Sequence, residues 1–558
     1  MNRFRYLIIT LVFTFFFFFV QKGQSQISKR GIPHSTVFSV PDNNMNLVTL
    51  EPPFRGILRK EDEKTPSPYR FAVNLPVDVT PENSGKWIDL PDGSRIWCVT
   101  IVAPGALAVS VYFDRFHIPG EGRLYLYNSD KTQVIGAFTE INNSSGGYFA
   151  TELVTGDKLT LEYDQPAGQQ ESPVLHVYEI AYAYRGVKGP ENSDQTEGTA
   201  GACEVNINCP EGDNWQQQKK GVVRIQVKKS SSLFWCTGSL LNNVRKNKVP
   251  YLLTANHCGF YATPADIQQW IFYFDYEFPS CDNIPKVPIP KSLTGATLKA
   301  QGGSETNFGS DFFLLLLNQN IPDSMDVVYN GWTRQDNISM NGAGIHHPEG
   351  DVKKISTYTT PLESSNWNGQ PEFTHWKVIW TGTQDGHGVT EGGSSGSPLF
   401  DSYGRITGSL TGGESNCDSA HLTVPDYYGK FYYHWDKNGS DSTHCLKYWL
   451  DPDNQGPMFL DSLEAKPPPN VEPSVTLYPV PFNNFIKFRF TGIWPSAFHI
   501  TFYNIMGIKV LDRDLQKTGD TMEYDEVVNI PPGIYIVKLR TANQIVSRKM
   551  IKAAHKIP

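Results

Sequence analysis

The chain has 558 residues, which is too long for one hydrophobic core and predicts roughly three or four domains. Aromatic residues make up 13% and charged residues 19%, as in globular proteins, and the net charge of −8 gives no reason to expect nucleic acid as a partner. The N-terminus has a basic leader, "MNRFR", an apolar run, "YLIITLVFTFFFFFV", and a small-residue end, "GQS". This order predicts a secretory signal peptide over residues 1–25, with a membrane anchor as the alternative.

The next region, residues 26–197, carries short alternating segments over about 86–186, such as "SRIWCVTIV" and "KLTLEYD", separated by Gly, Asp and Asn. Strands at this spacing predict a β-sandwich. The stretch "GVKGPENSDQTEGTAGA" at 186–202 has no apolar period and predicts a cleavable linker. We therefore interpret residues 26–197 as a pro-region.

The rest of the chain is also rich in strand patterns. Residues 198–464 contain "GVVRIQV", "VPYLLTANHC" and "SDFFLLLLNQ" with few helical signals, and seven of the eight cysteines fall here, all except Cys98. A proline-rich spacer at 465–474 separates this block from residues 475–558, whose strand patterns predict a small sandwich. The predicted fold class is all-β.

Three separated residues in the 198–464 block have the character of a catalytic set. A serine hydroxyl becomes a nucleophile when a histidine takes its proton and an acid fixes the histidine tautomer. His257 ends the strand pattern "YLLTANHC", and Asp311 opens a very apolar strand where a carboxylate needs a hydrogen-bonding partner. Ser395 lies in "EGGSSGSPLF". Each residue alone has a structural explanation, but the order His, Asp, Ser in one exported β domain favours catalysis.

The glycines around Ser395 add an anion-binding element. With Gly393 before it and Gly396 after it, the backbone can turn the N–H groups of Gly393 and Ser395 toward one point. Two such donors would form an oxyanion hole for an acyl-transfer intermediate. A plain Gly/Ser turn is the alternative.

The segments "TANHC", "SDFFLLLL" and "GGSSGSPLF" resemble the triad segments of trypsin/chymotrypsin-fold serine endopeptidases. More narrowly, "GTAGACEVNINCPEGDNW", "CTGSLLNN", "IHHPEGDVKKIS" and "WLDP" resemble the bacterial lysyl endopeptidase family across about 198–464. The resemblance implies a two-barrel trypsin-like protease with His257 as general base, Asp311 as its orienting acid and Ser395 as nucleophile. It also implies three disulfides: Cys203–Cys417, Cys209–Cys281 and Cys236–Cys258. Cys98 and Cys445 have no assigned partner, and free thiols are expected.

The family resemblance also implies a substrate pocket for lysine. The family's pocket aspartate lies nine residues beyond a cysteine, which from Cys417 gives Asp426, with a turn aspartate as the alternative. Gly412 would keep the entrance open, and Ser409–Thr411 would pair with the substrate backbone. Thr411 replaces a family histidine that stacks on a tryptophan, whereas Trp367 is retained, so cleavage after Arg as well as Lys is expected.

Activation and export follow from the two ends of the chain. Ser394 stands where digestive relatives carry an aspartate that pairs with a freed N-terminus, so we expect activation by removal of the pro-region instead. Family alignment starts the mature enzyme at Gly198, and self-processing after Lys188 would start it at Gly189. The tail "YPVP…FYNIMGIKVL…PPGIYIVKL" resembles the type IX secretion sorting domain, with a binding sandwich as the alternative.

The sequence therefore predicts a secreted, monomeric serine endopeptidase that acts on proteins or peptides, reaches the outside through the periplasm and the type IX machinery, and needs no cofactor. The crowded "HHPEGD" segment lacks recognisable metal-ligand spacing, so no metal site is predicted. The alternatives are a protease of different specificity and a non-catalytic adhesin on a protease scaffold.

Overall fold

The computed structural model describes residues 31–41, 46–64, 68–187, 200–283, 290–303, 309–367, 369, 373–418, 420–465, 474–491, 494–495, 497–517, 521–541 and 545–553. The predicted signal peptide, most of the predicted 186–202 linker and most of the proline-rich spacer lie outside these residues. No helix in the described part of the chain is long and apolar enough to cross a membrane. The chain forms two compact units, which divide between Ala465 and Lys466.

The first unit begins with a β-sandwich. One sheet has the order β1-β4-β10-β6-β7 with β3 beside β4, and the other contains β2, β11, β5, β8 and β9. Alternating apolar side chains from both sheets, including Val111, Leu161 and Ile180, form a core between them. The strands are β1 (Asn46–Thr49), β2 (Tyr69–Val79), β3 (Lys86–Asp89), β4 (Arg95–Val102), β5 (Ala108–His117), β6 (Arg123–Tyr127), β7 (Val134–Phe138), β8 (Phe149–Ala150), β9 (Val154–Thr155), β10 (Lys158–Gln165) and β11 (Val174–Ala183), with helices α1 (His34–Val37) and α2 (Arg55–Lys64) before and between them.

A first barrel follows in the same unit, with strand order β17-β16-β13-β14-β15-β19-β18. Gly295, at φ +86°, makes the tight turn that joins β17 to β18 and brings the two ends of this order together. Its elements are β12 (Val205–Asn206, which pairs with the second barrel), β13 (Val222–Lys229), β14 (Ser232–Leu241), β15 (Tyr251–Ala255), α3 (Asn256–Gly259), α4 (Pro264–Ile267), β16 (Ile271–Phe274), β17 (Lys291–Thr294), β18 (Ala296–Gly302) and β19 (Phe312–Leu317).

The second barrel has the order β12-β23-β22-β26-β27-β28-β25-β24, with β21 beside β27. The N–H of Thr381, just after β25, donates to the Thr357 carbonyl of β23 at 2.8 Å and links the two sides. Its elements are β20 (Val328–Tyr329), β21 (Trp332–Thr333), β22 (Gly342–His346), β23 (Lys354–Tyr358), β24 (Glu363–Ser365), β25 (His375–Val378), β26 (Pro398–Asp401), β27 (Ile406–Gly413), β28 (Asp426–Lys430), α5 (Phe431–Asp436), α6 (Lys447–Leu450), β29 (Phe459–Leu460) and β30 (Leu463–Glu464).

The sandwich and the first barrel share one continuous sheet, because β2 pairs with the first residues of β14. Trp235 lies opposite Tyr69 in this ladder, and the Trp235 ring stacks on Phe71 at 4.0 Å. An unpaired edge strand exposes backbone donors and acceptors, and β2 satisfies those of β14. The β-sandwich and the protease block were predicted from the sequence as separate β modules. The sheet that they share was not predicted, because pairing between distant strands leaves no local sequence pattern.

The second unit is a small sandwich of two sheets, one ordered β31-β32-β35 and the other β34-β33-β36-β37. Phe488, Ile500, Phe502 and Val537 are fully buried in its core. The fold class is all-β throughout, as the sequence predicts. The strands are β31 (Ser474–Tyr478), β32 (Ile486–Thr491), β33 (Ala497–Asn504), β34 (Lys509–Gln516), β35 (Thr521–Tyr524), β36 (Gly533–Arg540) and β37 (Ile545–Lys552).

Three disulfides cross-link the barrels, and they are the three that the family resemblance implies: Cys203–Cys417, Cys209–Cys281 and Cys236–Cys258. This prediction is confirmed. Cys98 and Cys445 are both buried free thiols.

Candidate active site

His257 and Asp311 form a hydrogen-bonded pair at the ends of two neighbouring strands. His257 is the second residue of the short helix α3 after β15, and Asp311 immediately precedes β19, the antiparallel neighbour of β15. Asp311 Oδ2 lies 2.8 Å from His257 Nδ1, and Oδ1 accepts the His257 backbone N–H at 2.9 Å. Asp311 is fully buried and takes a left-handed backbone conformation, φ +56°, which aspartate tolerates better than most residues. Its carboxylate is thereby fixed against the imidazole.

This pairing sets the histidine tautomer. A carboxylate can only accept, so Nδ1 carries the proton and Nε2 carries the lone pair. Nε2 is buried and has no hydrogen-bond partner among the described residues. His257 therefore presents a free basic nitrogen on the side opposite Asp311.

Ser395 lies on a loop held between the two barrels. The Thr237 N–H, on β14 of the first barrel, donates to the Ser395 carbonyl at 2.8 Å, and the Gly396 N–H donates to Leu410 on β27 of the second barrel, also at 2.8 Å. Cys258 Sγ, beside His257, lies 3.8 Å from the same Ser395 carbonyl. The structure thus brings the Ser395 loop against the strand ends that carry His257 and Asp311.

Two N–H groups of this loop are unused. Among the described residues, those of Gly393 and Ser395 donate to no acceptor. By contrast, Ser394 N–H donates to the Glu391 carbonyl at 3.0 Å, and Gly396 N–H to Leu410. Buried donors rarely stay unpaired, so two in one loop indicate a binding position for an oxygen atom.

Asp426 is completely buried at the start of β28, in the second barrel. Its Oδ2 accepts three side-chain hydrogen bonds, at 2.6–2.7 Å, from Trp380 Nε1, Thr390 Oγ1 and Ser415 Oγ. Burial raises the pKa of this carboxyl, and the three donors oppose that rise. Sequence reasoning missed all three donors, because they come from separate segments and no spacing relates them.

The second oxygen of Asp426 is far less occupied. Oδ1 is approached by the Ser415 backbone N–H at 3.4 Å. A β-carbon at Gly413 would collide with Oδ1, so glycine at this position keeps the space beside that oxygen free. Asp426 therefore has one saturated oxygen and one open oxygen.

Near this pocket, Trp367 lies over Gly412, since a β-carbon on that glycine would stand 3.4 Å from the indole ring. Thr411 Oγ1 is 2.9 Å from His375 Nε2, and the His375 ring lies 6.1 Å from Trp367, tilted by 32°. Burial lowers the pKa of His375 to about 4, so this imidazole is neutral. His375 was not predicted from the sequence. The family resemblance places a histidine at the position of Thr411, whereas the histidine near Trp367 comes from β25, which pairs with β28.

The "HHPEGD" segment supports the Ser395 loop. His346 Nδ1 lies 2.8 Å from Ser394 Oγ and His346 Nε2 lies 3.0 Å from Ser356 Oγ, while burial lowers the His346 pKa to about 3. His347 Nδ1 faces the Asp351 carbonyl at 2.9 Å. These nitrogens serve internal hydrogen bonds. The one cluster of metal-ligand types within the described residues, Cys209, Cys281 and Asp385, has both sulfurs in a disulfide.

A group of buried carboxylates lies behind the same loop. Glu391 Oε2 accepts the Gly201 N–H at 2.9 Å. Neither oxygen of the fully buried Glu204 carboxylate accepts a hydrogen bond of normal geometry from a described residue, and His346 Nε2 lies 3.8 Å away. Burial, reinforced by the Glu391 charge, raises the Glu204 pKa well above its usual value.

Replacement of Glu204 by Gln should change how stability depends on pH. Because the folded-state pKa is raised, the folded protein keeps a proton that the unfolded chain releases above about pH 4.3. The contribution of Glu204 to the free energy of unfolding is therefore fully present below that pH. It is lost at ~1.4 kcal/mol per pH unit as the pH rises toward the folded-state pKa. The melting temperature of Glu204→Gln minus that of the wild type should therefore increase from pH 4.5 to pH 7.

This comparison uses the full chain with Ser395→Ala in both proteins, and the exposed Glu82→Gln as the control. Parallel melting temperatures of wild type and Glu204→Gln across this range would contradict the assignment of a raised pKa to Glu204.

Two families match separate parts of the chain: "Lysyl endopeptidase, C-terminal domain" over residues 197–429 and "Secretion system C-terminal sorting domain" over residues 476–553. The chain is 28% identical over 404 residues to a lysyl endopeptidase of Pseudomonas aeruginosa, covering 68% of this chain and 83% of the relative.

Solved structures that resemble the chain include protease Anisep from Arthrobacter nicotinovorans, with 18% identity, TM-score 0.29, 38% of this chain and 91% of that chain covered. A serine endoprotease from Yersinia pestis has 13% identity and TM-score 0.25, covering 60% of this chain and 94% of its own. The sorting domain supports an extracellular or cell-surface protein. Residues 197–429 are therefore similar to a lysyl endopeptidase domain, and residues 476–553 to a secretion sorting domain.

Proposed function

We propose that the protein is a secreted serine endopeptidase that cleaves peptide bonds after lysine. The observation that carries this proposal is the His257–Asp311 pair with its unpartnered Nε2, next to Cys258, whose sulfur lies 3.8 Å from the carbonyl of Ser395 in a loop with two unpaired N–H donors. A binding protein on a protease scaffold would need neither the fixed tautomer nor the unpaired donors, so the geometry favours catalysis over the adhesin alternative.

The proposed reaction follows from these groups. His257 Nε2 takes the Ser395 hydroxyl proton as the oxygen attacks the substrate carbonyl, and Asp311 stabilises the resulting imidazolium. The Gly393 and Ser395 N–H groups donate to the oxyanion that forms. His257 then gives its proton to the departing amine, which leaves an acyl-enzyme on Ser395, and water activated by the same nitrogen hydrolyses it.

Lysine selectivity is proposed from the two unlike oxygens of Asp426. An ammonium is a compact charge that one open oxygen can bind, whereas a guanidinium binds a carboxylate best through two parallel hydrogen bonds. Since three donors already saturate Oδ2, an arginine guanidinium could bind only Oδ1 and could not form both parallel hydrogen bonds. The His375–Thr411 contact beside Trp367 also supplies a histidine that the sequence analysis expected to be missing, so lysine should be preferred over arginine.

Export and maturation are proposed to remove both ends of the chain. The signal peptide directs the chain into the periplasm, the type IX machinery recognises residues 475–558, and removal of the pro-region gives a monomer that starts between Gly189 and Gly198. The domain bounds 26–197, 198–464 and 465–474 are part of this proposal.

Substitution of Ser395 by Ala should remove nearly all peptidase activity, because binding and the oxyanion donors alone supply only a small part of the acceleration. The measurement is the rate of hydrolysis of a lysine-containing fluorogenic peptide by the secreted proteins. The exposed Ser402→Ala variant is the matched control and should stay fully active. Residual activity above roughly a hundredth of the wild-type rate would reject Ser395 as the nucleophile.

Asp426→Asn should lower kcat/KM for cleavage after lysine by about two to four orders of magnitude, since losing one partner of a buried ion pair costs about 3–5 kcal/mol. Ser395 should still react with a small acylating inhibitor, because it is activated elsewhere. Digestion of a mixed peptide pool gives the residue before each cut, with the exposed Asp418→Asn variant as control. If Asp426→Asn cuts at the same residues as the wild type, or if the wild type cuts after acidic or apolar residues, the assignment of Asp426 to the lysine pocket is wrong.

A further inference from the structure

The Ser395 loop also faces β14 of the first barrel, and the proposed reaction assigns no role to this side of the loop. Leu410 on β27 binds the loop from one barrel and Thr237 on β14 binds it from the other. If the acyl half of a substrate pairs with β27, next to the Asp426 pocket, then the leaving-group half must run toward β14. In the precursor that position is occupied by the first residues of β2.

Tyr69, the first residue of β2, contacts the Ser395 loop. Its backbone is opposite Trp235, which directly precedes the Cys236–Cys258 disulfide beside His257. Its ring packs on Gly392, where a β-carbon would stand 2.8 Å from Tyr69 Cδ2. An extended segment paired with a sheet edge, three residues from the nucleophile, is how a peptide substrate would lie.

The surroundings of the Tyr69 side chain are chemically specific. The Tyr69 hydroxyl donates a hydrogen bond to Glu349, whose own backbone N–H donates to the Gly392 carbonyl at 2.5 Å. Burial and the Glu391 charge raise the Glu349 pKa to about 7. The Arg185 guanidinium stacks 4.2 Å from the centre of the Tyr69 ring and is anchored by Asp62 at 3.2 Å, also in the pro-region.

We propose that the Trp235 edge, Gly392 and Glu349 form a leaving-group subsite that accepts tyrosine, and that Tyr69 fills this subsite in the precursor. This inference rests on the proposed endopeptidase function. The pro-region blocks the leaving-group half of the cleft while the nucleophile and the Asp426 pocket remain assembled. After its removal, the edge of β14 is free to pair with an extended peptide, and Glu349 accepts a hydroxyl hydrogen bond from one of the first three residues after the cut.

The chemistry of Glu349 sets an order of preference. A tyrosine ring gains packing on Gly392 and a hydrogen bond to the carboxylate, whereas phenylalanine gains the packing alone. A glutamate side chain would place a third carboxylate beside Glu349 and Glu391, which is unfavourable.

The test uses the secreted, processed enzyme and fluorogenic peptides with one lysine followed by three variable positions. Tyr, Phe, Ala and Glu are placed at each position in turn. At one position we expect kcat/KM for Tyr to exceed that for Ala by about tenfold, with Phe between them and Glu lowest. Rates are normalised to active sites counted with an acylating inhibitor.

Glu349→Ala should remove the difference between Tyr and Phe at that position, while Glu349→Gln should keep part of it and lose the discrimination against Glu. The exposed Glu363→Ala variant is the control and should retain the wild-type order. Cleavage after lysine with no preference at any of the three positions, or with an order that Glu349→Ala leaves unchanged, would overturn the subsite. Absence of cleavage in every peptide would instead reject the endopeptidase function.

Discussion

The site depends on how closely the Ser395 loop fits between the two barrels. One strand of each barrel binds this loop, through Thr237 and Leu410, so the relative position of the barrels fixes the position of Ser395. Gly396, at φ +81°, passes so near Thr254 and Ala255 that a β-carbon could not be accommodated. A left-handed residue with no side chain is therefore required directly after the serine. In the same loop, the Gly393 and Ser395 N–H groups donate to no acceptor among the described residues.

Three buried carboxylates in the first unit differ in the hydrogen-bond donors that surround them. Asp311 lies against the His257 imidazole with one oxygen and accepts the His257 backbone N–H with the other. Asp426 receives three donors on one oxygen, whereas its other oxygen is approached only by the Ser415 N–H at 3.4 Å among the described residues. Glu204 has no normal hydrogen bond from a described residue, and its pKa rises accordingly. Only the second arrangement is suited to selecting a charged ligand.

Local patterns in the sequence predicted much of this structure. Strand spacing predicted the all-β class, and the family resemblance predicted all three disulfides, because cysteine positions align along the chain. The partners of Asp426, namely Trp380, Thr390 and Ser415, could not be predicted, since each comes from a different segment. The sheet shared by Tyr69 and Trp235 was missed for the same reason: strands 166 positions apart pair by edge complementarity and leave no periodic signal.

The central claim is that Ser395 is a nucleophile activated by His257. The most direct measurement is to treat the secreted protein with a fluorophosphonate, digest it and locate the adduct by mass spectrometry. We expect a single phosphonyl adduct on Ser395 that is lost in a His257→Ala variant, because without the base the hydroxyl stays protonated and unreactive. An adduct on another residue, or equal labelling of Ser395 without His257, would contradict it.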